Sequence, residues 1–138
     1  LVPLAIDTKG RTTVIPEDLF YSPEHEWVRI EEDVAIVGIT DFAQEQLGDI
    51  VYVDLPEEGE ELSSGSVVGE LESTKSVSDV FTPVSGIVIA RNDSLEDAPE
   101  VINSDPYGEG WLLKIRLSED DATAGLMSPQ EYSTLTSG

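Results

Sequence analysis

A mainly β domain, a barrel or sandwich with a few short helices attached, is what this 138-residue sequence predicts. Three observations carry that prediction. Short Val- and Ile-rich runs recur along the chain, turn residues interrupt them at close spacing, and helix-period patterning is confined to brief stretches.

Residues 1–13 hold two of the seven basic side chains, Lys9 and Arg11, and lack clear periodicity. They are expected to form a flexible tail or cloning remnant outside the fold, leaving 14–138 as a single domain. Within it, Trp27 and Arg29 alternate with Val28 and Ile30 as strand residues do. Glu31-Glu32-Asp33 turns the chain, and residues 34–39 return as the partner strand. Thr40 is placed to cap a short helix with Asp41 in its first turn and Gly48 at its end. Residues 50–53 read as a strand stopped at Leu55-Pro56, and residues 87–90 as another, entered through the turn that Pro83 and Gly86 bracket. One helical turn is expected around Val101-Ile102, and a last strand over residues 111–117. Ser128, Pro129 and Glu131 then spell a capping box for a final helix reaching Leu135.

One stretch stands apart. Lys75 is the only Lys or Arg between Arg29 and Arg91, and β-prone runs flank it, Val67 to Glu72 before and Val77 to Phe81 after. The pair reads as a hairpin with the lysine at its tip. Ser73-Thr74-Lys75-Ser76 suits a type I turn rather than the Asn-Gly or Gly-containing turns that two-residue loops prefer. A lysine so placed offers its ammonium on a four-carbon stem, where a modifying enzyme can reach it without unfolding anything. The plainer reading of any loop lysine is a solvated surface charge.

Composition narrows the function classes. The formal charge of −22, from 29 acidic against 7 basic side chains, repels nucleic acid and anionic membranes and favours basic partner surfaces, although solubility alone also accounts for such acidity. The absence of cysteine excludes disulfides, thiolate metal sites and cysteine nucleophiles, so any redox chemistry must come from an attached group. No run approaches the length of a membrane span and the start shows no secretory or transit signature, so a soluble, intracellular protein is expected, cytoplasmic in a prokaryote and in the mitochondrial matrix of a eukaryote.

Other constellations have dull readings. His25 lies between Glu24 and Glu26, but on a strand alternate residues face opposite sides, so His25 is expected to turn away from both and to carry no catalysis. Asp93, Glu96, Asp97, Glu119, Asp120 and Asp121 follow no metal-loop spacing and read as a solvated acidic face. Trp27 and Trp111 read as core aromatics.

Glu70-Leu71-Glu72-Ser73-Thr74-Lys75-Ser76-Val77-Ser78-Asp79 resembles the lipoylation site of glycine cleavage system H proteins. Further blocks are similar to that family in its order: Ser22-Pro23-Glu24-His25-Glu26-Trp27-Val28, Val37-Gly38-Ile39-Thr40-Asp41-Phe42-Ala43-Gln44, Leu47-Gly48-Asp49-Ile50-Val51, Pro83-Val84-Ser85-Gly86, and the run from Ile102 through Asp105-Pro106-Tyr107-Gly108 to Leu112. The resemblance spans about residues 15–135 and implies a barrel-sandwich hybrid, the lipoyl/biotinyl-type hammerhead of two small antiparallel sheets, with lipoate amide-linked to Lys75. It also implies a non-catalytic carrier, expected to be a monomer, that shuttles the aminomethyl group of glycine. Its partners would be a pyridoxal-phosphate glycine decarboxylase, a tetrahydrofolate-dependent aminomethyltransferase, an FAD-containing dihydrolipoyl dehydrogenase, and a lipoate ligase or lipoyl/octanoyl transferase. Carried over residue by residue, Glu72 and Gly86 match positions that lipoylating enzymes recognise, and Glu26 and Asp79 match positions lining the resting place of the loaded arm. Gln46 stands where some members have histidine, and no contact is carried over there.

Three alternatives remain open at this stage. A biotin carrier would show Met on both sides of the lysine, where Thr74 and Ser76 stand, and an acyltransferase lipoyl domain would lack the section from Ile15 to Val53. A lipoate relay that donates its group to other enzymes would share every feature named above. A free-standing enzyme using His25 and the acids would be active without any modification of Lys75.

Overall fold

The computed structural model describes residues 4–6, 12–118 and 125–137. Of the expected N-terminal tail, residues 1–3 and 7–11 lie outside the described residues, while β1 (Leu4–Ile6) and β2 (Thr12–Val14) pair antiparallel with each other. Glu119, Asp120 and Asp121 of the expected acidic face also lie outside.

The strands β3 (Phe20–Tyr21), β4 (Glu26–Glu31) and β5 (Val34–Ile39) follow in antiparallel order. After α1 (Asp41–Leu47) come β6 (Ile50–Asp54), β7 (Glu61–Leu62), and the hairpin of β8 (Val67–Ser73) with β9 (Val77–Phe81). The chain then runs through β10 (Gly86–Arg91), a 3-10 turn (Asp93–Glu96), α2 (Val101–Ser104), β11 (Leu113–Leu117) and α3 (Pro129–Ser137).

Besides the β1-β2 pair, two antiparallel sheets result. One has six strands in the order β3-β4-β5-β11-β10-β7, the other three in the order β6-β8-β9, and neither closes into a barrel. The fold is thus the mainly β, two-sheet arrangement with short helices that the sequence predicts. Register shifts between Ile50 and Tyr52 and between Val67 and Gly69 mark bulges, which bend and twist a strand locally and so help the small sheet curve over the large one. Between the sheets, Val28, Val37, Val88 and Ile115 of the large sheet meet Ile50, Leu71 and Val80 of the small one in a single buried cluster. Burying an aliphatic side chain of this size contributes roughly 1.5–3 kcal/mol, so the cluster fixes how the two sheets face each other.

A second cluster fastens the C-terminal helix. Ile15, Leu19, Tyr21, Trp27, Ile36 and Tyr132 are all buried in it, with the rings of Tyr21 and Tyr132 stacked at 4.6 Å. The capping box starts α3 as its residue pattern requires: Glu131 N donates to Ser128 Oγ at 3.2 Å and Ser128 N donates to Glu131 Oε1 at 2.9 Å. Trp27 is fully buried as expected and donates its Nε1–H to Pro106 O at 2.9 Å. Trp111 differs: it is only partly buried, with the Lys114 ammonium 5.0 Å from its ring, because it precedes β11 and packs at the rim of this cluster rather than between the sheets.

Candidate functional site

The hairpin tip is built locally. Ser73 N donates to Ser76 O at 2.8 Å, and the Ser73 hydroxyl accepts from Lys75 N at 3.1 Å and Ser76 N at 3.0 Å. A serine at the start of a turn can satisfy backbone N–H groups in this way, which replaces the glycine a tighter loop would need. Lys75 is exposed, and among the described residues no ion pair holds it. Its amine is therefore open to solvent and to a second protein.

A brace that sequence reading did not single out holds the tip in place. Thr74 N donates to Asp49 O at 3.0 Å, tying the tip to the loop after α1. That loop is fixed in turn by Asn103 of α2, whose Oδ1 accepts from Ile50 N at 2.9 Å and whose Nδ2 donates to Gly48 O at 2.9 Å and Gln44 Oε1 at 3.0 Å. Gly48 has φ 83° and ψ −162°, a backbone region open essentially to glycine. The stem of Lys75 passes beside it, where a Cβ at position 48 would sit 3.2 Å from Lys75 Cε. The only sequence signal for Asn103 was its place in a short helix followed by a turn cluster, which names no partner.

Against the lysine hairpin lies a cavity of about 350 Å³. One side is formed by Glu24, His25 and Glu26 ahead of and at the start of β4, a second by Phe42, Ala43, Gln46 and Leu47 of α1, and the third by Leu71, Ser78, Asp79 and Val80 of the lysine hairpin. Its lining combines the apolar Leu47, Ala43 and Leu71 with the carboxylates of Glu24, Glu26 and Asp79. The residues expected to line an arm's resting place, Glu26 and Asp79, thus meet in one cavity that the strands of the lysine hairpin help to line, although 53 positions apart in numbering would not by itself join them.

Glu26 is buried and accepts a hydrogen bond from Ser22 Oγ. Burial pushes its carboxyl up to about 7 against the opposing pull of the Ser22 bond and a backbone bond at Phe81, with the nearby Glu24 adding to the rise. The group therefore changes protonation near neutrality, and it can ionise fully when a cation arrives. Asp79, by contrast, is exposed. On its far side Glu26 also faces a second cavity of about 360 Å³ that Ser22, Ser64, Thr82 and Ser85 help to line.

His25 corrects the expectation drawn from strand alternation. It precedes β4, has φ 70°, and lines the same cavity as Glu24 and Glu26, because the left-handed backbone removes the alternation that would have turned it away. Its Nδ1 lies 2.8 Å from Tyr132 Oη, and burial lowers its pKa, with Glu24 opposing.

The remaining two expected residues lie elsewhere. Glu72 is exposed on the hairpin, in register with Tyr52 on β6 and Val77 on β9. Gly86 belongs to the six-stranded sheet, in register with Leu62 and Leu117. A Cβ there would fall 2.1 Å from Arg116 O, so sheet packing alone demands glycine.

Known proteins share this fold. The family model described as glycine cleavage H-protein matches residues 19–137. A glycine cleavage system H protein of Rubrobacter xylanophilus is 58% identical over 118 residues, covering 86% of this chain and 91% of its own length. A probable glycine cleavage system H protein of Haloarcula marismortui is 52% identical over 118 residues, covering 86% and 93%. Among solved structures, a glycine cleavage system H protein from Mycobacterium marinum superimposes with a TM-score of 0.81 at 42% identity, covering 87% of this chain and 97% of that one. By its family model, its relatives and its two-sheet fold, the chain belongs to the glycine cleavage H-protein family.

Proposed function

We propose that Lys75 carries lipoate in amide linkage and that the cavity beside it shelters the loaded arm between enzymes. The supporting observation is the juxtaposition of an exposed lysine, held on a braced turn, with a cavity lined in part by Glu26 and Asp79. The residues fit the group: the apolar lining suits a hydrocarbon chain with sulfurs, and the acids suit an amine at its end.

When bound, lipoate supplies a disulfide that can accept the aminomethyl unit left by glycine decarboxylation, pass it on and be reoxidised. The protein's own residues do the rest. Ser73 and Asp49 hold the tip so that the arm starts beside the cavity mouth. Glu26, ionising as a protonated amine approaches, releases its proton to solvent water and pairs with the cation, and Asp79 adds a second negative charge. Leu47 and Leu71 exclude water from the apolar part of the arm. Glu72, exposed on the hairpin, is a recognition point for the lipoate ligase or lipoyl/octanoyl transferase, and Gly86 serves the same recognition by letting β10 pack closely against its neighbour at Arg116 O.

The chain itself is a carrier without catalysis of its own, working in the cytoplasm. It visits a pyridoxal-phosphate glycine decarboxylase, a tetrahydrofolate-dependent aminomethyltransferase and an FAD-containing dihydrolipoyl dehydrogenase. The charge of −22 favours fast, salt-sensitive encounters with basic surfaces, which suits a shuttle that must leave each partner quickly.

Exchange of labelled carbon dioxide into glycine, catalysed by glycine decarboxylase with the lipoylated protein added, tests this reading. Exchange is expected with the wild type and is expected to vanish with Lys75→Arg. Lipoylation without exchange would favour a lipoate relay instead.

A further inference from the structure

His25 and Tyr132 form a contact that the carrier reading leaves unused. The ring of His25 lies 4.8 Å from that of Phe42 and 5.6 Å, edge-on, from that of Tyr132. Its left-handed backbone, φ 70°, is uncommon outside glycine and persists where surroundings over-determine it. Here they do, since His25 N donates to Ser22 O and His25 O accepts from Thr40 N, each at 3.0 Å. The side chains repeat the tie: Tyr132 Oη is 2.8 Å from His25 Nδ1 and 2.6 Å from Thr40 Oγ1.

The direction of the protons follows from counting donors. Thr40 is fully buried, and its Oγ1 accepts the capping bond from Ala43 N. Among the described residues the only other partner of that hydroxyl is Tyr132. A buried hydroxyl hydrogen requires an acceptor, so Thr40 donates to Tyr132. Tyr132 has a single hydroxyl hydrogen, and the acceptor left for it is Nδ1 of His25. An imidazole nitrogen that accepts carries no proton, which leaves the ring neutral with its proton on Nε2.

We propose that Tyr132, from the far end of the chain, is a positioning residue for the cavity: by donating to His25 Nδ1 it holds this histidine as the neutral Nε2–H tautomer, so that carboxylates are the only charges presented to a cationic load. The electrostatic consequence rests on the carrier reading, whereas the tautomer does not. The groups facing the pair are Glu24 and Glu26 from the same segment, Asp79 from β9, and Asp41 from α1 beside Tyr132. All are acids, so among the described residues a protonated His25 would be the one cation in the wall and would compete with an amine for Glu26. Burial works in the same direction by lowering the histidine pKa, against Glu24. Load retention therefore weakens as the pH falls, first as Glu26 takes up its proton near 7 and further as His25 becomes protonated.

His25 is the single histidine of the chain, so its ring nitrogens can be read without assignment in a long-range proton–nitrogen spectrum of the unmodified, 15N-labelled protein. The expected result is an unprotonated Nδ1 and a protonated Nε2. In Tyr132→Phe, which keeps the stacked ring and removes both the donor to His25 and the acceptor of the Thr40 hydroxyl, Nδ1–H should appear and proton affinity should rise about three- to tenfold. The lipoylated, amine-loaded Tyr132→Phe protein should then lose its load, followed as free ammonia, about fivefold faster than wild type, with the extent of lipoylation at Lys75 unchanged. A wild-type spectrum showing Nδ1–H overturns the proposal whether or not the variant folds, as does an unchanged tautomer in Tyr132→Phe. An altered tautomer with unaltered load release overturns the electrostatic role. Failure of Lys75 to accept lipoate would instead strike the carrier reading and leave the tautomer result standing.

Discussion

The hairpin tip and the opposite wall of the cavity are built in contrasting ways. The tip closes on itself within residues 73–76, is exposed, and needs one backbone bond to Asp49 to hold its direction. The wall is assembled from distant partners, His25 and Tyr132 at 107 positions and Thr40 and Tyr132 at 92, and Tyr132 itself belongs to a buried cluster. The difference teaches a division of labour. A site that another enzyme must reach is cheap in stability and local, whereas a site that must keep water out is inseparable from the core. Changes at the tip should alter modification with little effect on folding, and changes in the wall should do the reverse.

The largest expected effect sharpens that contrast. Lys75→Arg should abolish lipoyl attachment while shifting stability by no more than about 0.5 kcal/mol, since an exposed, unpaired side chain contributes little to the fold. Denaturant unfolding alongside a lipoylation assay checks both halves. Next comes Tyr132→Ala, which removes a fully buried ring from the stack on Tyr21; about 3–5 kcal/mol should be lost in the same unfolding measurement.

Glu26→Gln comes third, and its sign follows from linkage. The carboxyl is raised from the ordinary 4.5 to about 7 in the folded protein, so the native state binds the extra proton. The associated stability is present below the unfolded-state value and is lost as pH rises through about 7. The variant should abolish this loss, gaining on wild type by up to about 3 kcal/mol between pH 5 and pH 8. A wild-type difference between these two pH values that persists in the variant would show that another group carries it.

Two smaller effects probe the brace and the turn. Asn103→Ala leaves Ile50 N without its acceptor and frees Gly48 O, at an expected cost of about 1–3 kcal/mol. Ser73→Ala removes the acceptor of the Lys75 and Ser76 amides, at about 0.5–1.5 kcal/mol. Amide exchange should speed up at 74–76 in both variants, and at Ile50 only in the first. If Ser73→Ala proves as costly as Tyr132→Ala, the tip is not the self-contained turn described above.

What could be read from the sequence divides along the same line. The Thr40 cap, the capping box of α3 and the lysine hairpin are legible because each is decided within a few residues, and the structure has all three. The position of Asp79 relative to Glu26 was available only through family resemblance, since nothing local joins β9 to the start of β4. His25 was misread because alternation presumes an extended backbone, and the turn made by His25 N on Ser22 O breaks it one residue before the strand begins. Asn103 and Tyr132 passed unremarked for the same reason: their partners at Gly48, Ile50, Thr40 and His25 are set by how the sheets and helices meet. For Gly86 a sheet contact with Arg116 O supplies a structural reason that no motif spacing displays.

The most direct test of the central claim, that this scaffold exists to present one lysine for an attached arm, is the intact mass of the protein after co-expression with a lipoate ligase, followed by peptide mapping. A single lipoyl adduct on Lys75, absent from Lys75→Arg, is the expected result. An unmodified mass under conditions that lipoylate a known acceptor, or an adduct on Lys114 in place of Lys75, would contradict it.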